Sequence, residues 1–201
     1  MLIASAKDMQ RFEGLDFHPV IHLPDKVFIH DYSDGRKNEQ DTTYSIGKYN
    51  EIRPEMYNTP LFEHDRNLHV GIDIGGPVYT PIHAFMDGII FDMGYNSADG
   101  DYGYTLITMH KISDTPLYVL HGHLSSHVMN FLEIGQEITR GQVIAWIGDK
   151  HENGGWEPHL HFQLSWIKPE GCDLPGVVTL EQRDQALQDY PDPRLILGEV
   201  Y

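Results

Sequence analysis

The sequence contains a single cysteine, Cys172, and only 14 lysines and arginines against 30 aspartates and glutamates. One cysteine excludes an internal disulfide framework. The formal net charge of −16 opposes nonspecific binding to nucleic acid and to anionic surfaces. No apolar run approaches the length of a membrane span. We therefore expect no nucleic-acid partner and no membrane span, and the sequence carries no indication of an oligomeric state.

A secretion signal is also missing from residues 1–11, where no basic segment precedes a sustained apolar one. A cytoplasmic protein is the expectation from this feature. If the sequence is a piece of a longer chain, the cell envelope is the alternative location.

Histidines in pairs are what the sequence does contain. Residues 158–164 place His159 and His161 two positions apart in an otherwise apolar run. In a β-strand, residues i and i+2 point to the same face, so these two side chains are expected to lie side by side. His121 and His123 repeat the spacing in a second strand-like segment and are expected to share a face as well.

A third segment places His69 four residues before Asp73. The intervening valine and isoleucine favour a strand over a helix. Neutral imidazole and carboxylate are ordinary zinc ligands, and three protein ligands with one water make a catalytic zinc site. A cupin-like oxidoreductase also uses His-x-His on strands, but it requires a glutamate shortly after the pair. Here the carboxylate of Asp73 comes before the pairs, which argues against a cupin.

The order of these motifs carries a resemblance to a known family. Three motifs follow one another over about residues 67–166: H-x-x-x-D, then a histidine in a Y-x-x-x-x-H-L-S setting, then H-x-H. This series resembles the motifs of the lysostaphin/LytM-type zinc metallopeptidases. The resemblance implies a Zn²⁺ cofactor with His69, Asp73 and His161 as ligands. It implies that His123 and His159 are catalytic histidines that do not bind the metal.

Three further residues are candidates for substrate binding. Asn50 lies in a polar segment, and in some family members an upstream asparagine touches the metal; the alternative is an arm packed on the core. Trp156 precedes the His-x-His strand and is expected as a substrate wall or a lid residue. His121 is additional to the family pattern and is expected to tune, crowd or flank the site.

The resemblance implies a mainly β fold, in which antiparallel sheets form an open groove with the zinc on its floor. Residues 1–66 are predicted as an N-terminal arm packed on the core, residues 67–167 as the peptidase core and residues 168–201 as a C-terminal extension. The arm contains His18, His22 and His30, which lack a partner pattern and are expected to be surface or packing residues.

Two short helices are predicted to decorate this fold. Ser5 is a suitable N-cap and Gly14 a suitable stop for the first. Thr179, with Gln182 three residues later, forms a capping box for the second.

Hydrolysis of a peptide bond by a zinc-activated water is the expected function. The family's substrates are short peptides rich in glycine or D-amino acids, notably peptidoglycan cross-bridges, so a peptide is the expected partner. Two alternatives remain open. One is a catalytically silent LytM-like binding or regulatory module, and the other is a cytoplasmic zinc amidohydrolase acting on a small non-wall substrate.

Overall fold

A computed structural model describes residues 4–35, 42–57, 59–62 and 65–201. The fold is mainly β, with open sheets and short peripheral helices, as predicted. Within the described ranges, no helix has the length and apolar character needed to cross a bilayer.

The elements follow in chain order. The strands are β1 (Phe28–Ile29), β2 (Ser45–Gly47), β3 (Glu51–Ile52), β4 (Leu68–His69), β5 (Ile72–Gly75), β6 (Pro81–His83), β7 (Gly88–Asn96), β8 (Gly103–Ile112), β9 (Thr115–Leu124), β10 (Glu137–Ile138), β11 (Val143–Trp146), β12 (His159–Ser165) and β13 (Val177–Val178). The α-helices are α1 (Ala6–Phe12), α2 (Val128–Phe131), α3 (Arg183–Asp189) and α4 (Arg194–Leu197). Short 3-10 turns occur at Pro60–Phe62 and Leu180–Gln182.

The largest sheet has the strand order β1-β2-β5-β12-β9-β8-β7-β10. Its centre is antiparallel, with β12 hydrogen-bonded to β5 on one side and to β9 on the other. In this register His161 lies opposite Asp73 on β5 and opposite Gly122 on β9. Two predicted metal ligands that are far apart in sequence are therefore direct cross-strand neighbours.

A smaller sheet of β13, β4 and β3 carries the remaining predicted ligand. His69 on β4 lies opposite Glu51 on one side and Val177 on the other. His69 and Asp73 are both in strands, as predicted, but these strands belong to different sheets. The chain crosses between the sheets at Gly71, where an added Cβ would collide with the His161 ring. A glycine is therefore required at the crossing.

Alternation along β12 separates the core from the groove. Leu160, Phe162 and Leu164 are fully buried in the main hydrophobic cluster. His159 and His161, on the opposite face, both approach the carboxylate of Asp73. The prediction that these two histidines share a strand face is confirmed.

Both predicted helix caps are present. The Ser5 hydroxyl accepts a hydrogen bond from the backbone N–H of Asp8, and Gly14 follows α1 with a φ of 74°. Thr179 and Gln182 form the predicted capping box, which begins the 3-10 turn that leads into α3.

The predicted N-terminal arm contributes strands to two of the three sheets in the described part of the chain, the eight-stranded one and the three-stranded one. β2 pairs with β5 in the large sheet, and β3 pairs with β4 in the small one. The strands that carry His69 and Asp73 therefore each have a neighbour from the arm. The division of the chain into arm, core and extension stays a prediction.

Candidate metal centre and groove

A cavity of about 1230 Å³ opens along the groove face of β5 and β12. Aromatic side chains form part of its wall, among them Tyr57, Phe62 and Trp156. Pockets for small molecules typically measure about 300–1000 Å³. This groove therefore has room for a ligand as long as a short peptide.

The floor of the groove holds three potential ligand atoms in a nearly equilateral triangle. The Nε2 atom of His69 lies 3.1 Å from Nδ1 of His161 and 3.2 Å from Oδ1 of Asp73. The third side, from Nδ1 of His161 to Oδ1 of Asp73, is 3.0 Å. A tetrahedral zinc ion with bonds of about 2.0 Å holds its ligand atoms about 3.3 Å apart. The triangle therefore matches three corners of a zinc site.

Hydrogen bonds to the far sides of the two imidazoles orient them toward this point. Nδ1 of His69 donates to the carbonyl oxygen of Lys48 over 2.9 Å, which leaves Nε2 as the free ligand atom. Nε2 of His161 donates to Oε1 of Gln163 over 2.9 Å, which leaves Nδ1 free. Histidine ligands generally donate their second N–H to an oxygen in this way, because the bond fixes both tautomer and ring orientation.

A buried arginine from the arm holds the carboxylate ligand. Arg53 is 2% exposed, and its Nη1 donates to Oδ2 of Asp73 over 2.6 Å. Its Nε donates to Glu51 over 3.0 Å and its Nη1 also reaches the Tyr57 hydroxyl. One carboxylate oxygen of Asp73 is thus occupied by Arg53, and the other faces the histidines.

The local electrostatics give His69 and Asp73 the protonation states that a metal requires. Burial, followed by the charge of Arg53, lowers the pKa of His69 to about 4, so this imidazole is neutral at pH 7. Burial tends to raise the pKa of Asp73. The charges of the neighbouring His69 and Arg53 outweigh that effect and hold the pKa of Asp73 well below its usual range. Metal binding needs neutral imidazole and ionised carboxylate.

The two predicted catalytic histidines lie beside the triangle. The rings of His123 and His159 are 4.2 Å apart between centroids, and Nε2 of His159 is 3.7 Å from Oδ1 of Asp73. Nδ1 of His123 donates to the carbonyl oxygen of Asn153 and Nδ1 of His159 to that of Glu157. Each ring therefore keeps a basic Nε2. Burial is the main cause that lowers the pKa of both histidines, so both are available in the neutral form.

A β-bulge in β9 brings His123 to the groove. Between two paired positions, β8 advances from Tyr104 to Leu106 while β9 runs from Leu124 to His121, so β9 contains one extra residue. His123 has a φ of 62°, in the left-handed region. An extra residue in one strand reverses the direction of the side chains beyond it.

The expectation that His121 shares a face with His123 is therefore wrong. His121 is 1% exposed, and its ring packs against Phe162 on the core side of β12, with centroids 5.4 Å apart. Its Nδ1 donates to the carbonyl oxygen of Leu106. Burial, followed by the neighbouring His110, lowers its pKa to about 3. His121 is a core residue and does not line the groove.

Asn50 is a second correction. Its side-chain oxygen accepts a hydrogen bond from Nε of Arg183 over 2.9 Å, and its backbone N–H donates to the carbonyl oxygen of His69. The side chain thus joins the arm to the start of α3 and is not among the residues that line the groove. The alternative of an arm packed on the core matches this placement.

Trp156 lies in the groove wall. Its indole N–H donates to the carbonyl oxygen of Gly100 over 3.0 Å, and its ring lies 6.3 Å from that of His123 and 6.0 Å from that of Tyr57. The ring is therefore fixed beside the candidate catalytic histidines. A contact of Trp156 with substrate stays a prediction.

Three residues near the site were missed by the sequence reasoning. Gln163 was recognisable in principle, because it follows His161 by two positions on the same strand face. Arg53 and Tyr102 gave no such signal. The Tyr102 hydroxyl donates to the carbonyl oxygen of Leu174 and lies 3.5 Å from Nε2 of His161. It belongs to a glycine-rich loop that the sequence presents as a simple turn.

Comparisons with known proteins agree with this geometry. Residues 67–172 match the sequence profile of Peptidase family M23. The chain is 30% identical over 137 residues to the DD-carboxypeptidase/endopeptidase Mpg of Neisseria meningitidis, covering 66% of this chain and 29% of Mpg. It is 29% identical over 96 residues to the glycyl-glycine endopeptidase ALE-1 of Staphylococcus capitis, covering 47% of this chain and 24% of that protein. The chain thus spans less than a third of the length of these curated relatives.

A comparison with solved structures matches the chain to the catalytic domain of lysostaphin from Staphylococcus simulans. That comparison has a TM-score of 0.46 at 19% identity and covers 71% of this chain and 92% of that one. A zinc-containing peptidase from Vibrio cholerae gives a TM-score of 0.44 at 25% identity, covering 59% of this chain and 32% of that one. Because the family profile covers more than half of the sequence, including every predicted metal ligand and catalytic histidine, the chain belongs to peptidase family M23.

Proposed function

We propose that this chain is a zinc-dependent endopeptidase that hydrolyses short peptides containing glycine or D-amino acids, such as peptidoglycan cross-bridges. The triangle of ligand atoms from His69, Asp73 and His161 carries the proposal, because its sides of 3.0 to 3.2 Å fit tetrahedral zinc. The groove above it, with a volume of about 1230 Å³, has room for a short peptide.

Zinc suits the donor set as well as the distances. Two imidazoles and one carboxylate leave a fourth corner open to the groove, which is typical of a catalytic site rather than a structural one. When bound, zinc would polarise a peptide carbonyl and lower the pKa of a water molecule toward neutrality.

His123 and His159 would handle the protons. Each is neutral and has its Nδ1 held by a backbone carbonyl, so each presents Nε2 as a base. One takes the proton of the attacking water and, once charged, delivers it to the leaving amine. The other stabilises the oxygen on which negative charge develops after its Nε2 has taken up a proton from solvent, because only the protonated ring can donate a hydrogen bond to that oxygen. Their separation of 4.2 Å between centroids places both within reach of one scissile bond.

The substrate class rests on the groove and on the relatives. Mpg is named as a DD-carboxypeptidase/endopeptidase and ALE-1 as a glycyl-glycine endopeptidase. The groove, with a volume of about 1230 Å³, has room for a short peptide containing glycine or D-amino acids. A silent binding module, the alternative from another functional class, is disfavoured because every ligand position and both catalytic histidines are filled.

The test combines metal analysis with peptide hydrolysis. The protein is stripped with a chelator and reloaded with zinc, and both forms are assayed by mass spectrometry on pentaglycine and on a peptide with a D-Ala linkage. An all-L peptide of equal length is the control substrate. We expect cleavage only by the zinc form and only of the first two peptides. Equal cleavage before and after reloading, or cleavage of none of these peptides by the zinc form, contradicts the proposal.

A further inference from the structure

A second histidine cluster lies outside the groove. His18 and His22, from the segment before β1, meet His83 of β6. The ring centroids are 5.4 Å apart for His18 and His22, 5.2 Å for His18 and His83, and 5.1 Å for His22 and His83. None of the three lines the groove described above. From the sequence, His18 and His22 were expected to be surface or packing residues. The cluster was not visible there, because His83 is more than sixty positions away.

The spacing of the rings is that of three imidazoles around one metal ion. A ring bound through nitrogen at about 2.0 Å has its centroid about 3.2 Å from the metal, so tetrahedral angles place two centroids about 5.2 Å apart. All three observed separations agree with this value. One nitrogen from each histidine already lies within 4.8 Å of the other two, and small rotations about the side-chain bonds close the remaining difference.

Backbone carbonyls fix two of the rings in a form that can bind metal. Nδ1 of His18 donates to the carbonyl oxygen of Pro19 over 2.9 Å, and Nδ1 of His83 lies 3.4 Å from that of Val20. In both rings Nε2 is left with its lone pair. This arrangement, a ligand histidine whose other nitrogen donates to a carbonyl, is the same one that orients His69.

The surroundings of the cluster leave access for an ion. His22 is exposed, whereas His18 and His83 are partly buried. The loop after β10 passes beside His18 at Gly141, where an added Cβ would lie 3.1 Å from the ring. Burial is the main cause that lowers the pKa of His83, and the neighbouring His22 and His18 lower it further. The hydrogen bond to Val20 acts in the opposite direction but is outweighed, so the neutral form is favoured.

We propose that His18, His22 and His83 bind a second divalent metal ion, zinc or a neighbouring late first-row metal, with water completing the coordination. Three imidazoles suit zinc, nickel and copper, and disfavour magnesium and calcium, which prefer oxygen. The ion joins the segment that contains His18 and His22 to β6. It therefore acts as a clip between the predicted arm and the core, separate from catalysis.

The experiment measures zinc bound at equilibrium by the chelator-stripped full chain at neutral pH, for the wild type, His22→Ala, His161→Ala and the double variant. His22 is exposed, so its replacement leaves the core intact. His151→Ala is the matched control, because this side chain is 77% exposed, contacts Asp149 and belongs to neither cluster. Thermal unfolding with and without zinc is recorded in parallel.

We expect about two zinc ions per chain in the wild type and the control, about one in each single variant and none in the double variant. Zinc should raise the melting temperature of His161→Ala but not of the double variant, because only a bound ion stabilises the folded state. Equal zinc content in the wild type and His22→Ala overturns the second site. A single ion that is lost in His22→Ala and kept in His161→Ala supports the second site and instead overturns the metal centre in the groove.

Discussion

His121 and His123 are two residues apart on one strand, yet they serve opposite faces of the large sheet. His121 packs against Phe162 in the core, whereas His123 faces His159 above the metal triangle. One extra residue in β9 accounts for the difference. Same-face spacing in a sequence is thus valid only where the strand is regular, and an active site is a common place for a bulge.

Burial alone does not distinguish the two histidines. Both are nearly inaccessible, at 1% and 5% exposure, and burial is the main cause that lowers the pKa of each. They differ in their partners. Nε2 of His121 has no hydrogen-bond partner among the described residues, and its ring packs against Phe162. The ring of His123 is surrounded by other histidines and the groove. The two histidines are therefore distinguished by their partners rather than by the direction of their pKa shifts.

The largest effect is expected for His161→Ala. This change removes a ligand at the centre of the sheet and leaves His69 and Asp73, which hold zinc poorly on their own. Hydrolysis should fall by more than the about 10⁴-fold that the loss of a single acid–base group can cause. Metal analysis and peptide turnover are measured together. Full zinc content with full turnover would show that the triangle is not the metal site.

His123→Ala should lower turnover by about 10²- to 10⁴-fold while zinc stays bound, because this side chain handles protons and is not a ligand. His121→Ala is the paired control on the same strand, and it should reduce turnover only through lost stability. If His121→Ala abolished turnover at a temperature where it is folded and His123→Ala did not, the assignment of the bulge would be wrong.

Arg53→Gln should weaken zinc binding by about 10- to 100-fold, the usual cost of losing a group that orients a metal ligand. Without the guanidinium, Oδ2 of Asp73 loses its 2.6 Å partner and the carboxylate is free to rotate. Competition with a fluorescent zinc chelator gives the affinity. Arg140→Gln, a change at a side chain 45% exposed, is the control. Identical affinities for both variants would exclude a positioning role for Arg53.

The smallest effect on catalysis is expected for His121→Leu, which should leave turnover within about twofold once the protein is folded. Its effect appears in acid. The pKa of His121 is about 3 in the folded state and about 6.5 when unfolded, so only the unfolded chain gains a proton as the pH falls below 6.5. The free energy of unfolding of the wild type therefore falls on acidification by an amount that the variant does not lose.

Between pH 7 and pH 5 the variant should gain on the order of 2 kcal/mol relative to the wild type. Urea unfolding at the two pH values measures the difference, and the other titrating groups cancel in the comparison. A constant difference between the two proteins would mean that His121 is not buried in the neutral form.

The features that the sequence could predict are those with local signals. Ser5 and Thr179 marked helix starts through their capping chemistry, and the alternation along β12 placed His159 and His161 on one face. The metal triangle was predictable because the order of the motifs matched a family. The position of His121 was not, since a bulge depends on the partner strand. The role of Arg53 was not predictable either, because its contact with Asp73 forms only when β3, the strand before it, joins the small sheet.

The hydrogen bonds that hold the side chains of His69 and Asp73 determine where this chain can be joined to another family member in a chimaera. A fragment that began at residue 67 would contain all three ligands and both catalytic histidines, yet it would lack the carbonyl of Lys48 that holds His69 and the guanidinium that holds Asp73. Chimaeras that exchange the family-matched segment should therefore take their upstream crossover before Ser45, where β2 begins. A crossover at residue 67 would transfer the three ligands without the carbonyl and the guanidinium that orient two of them.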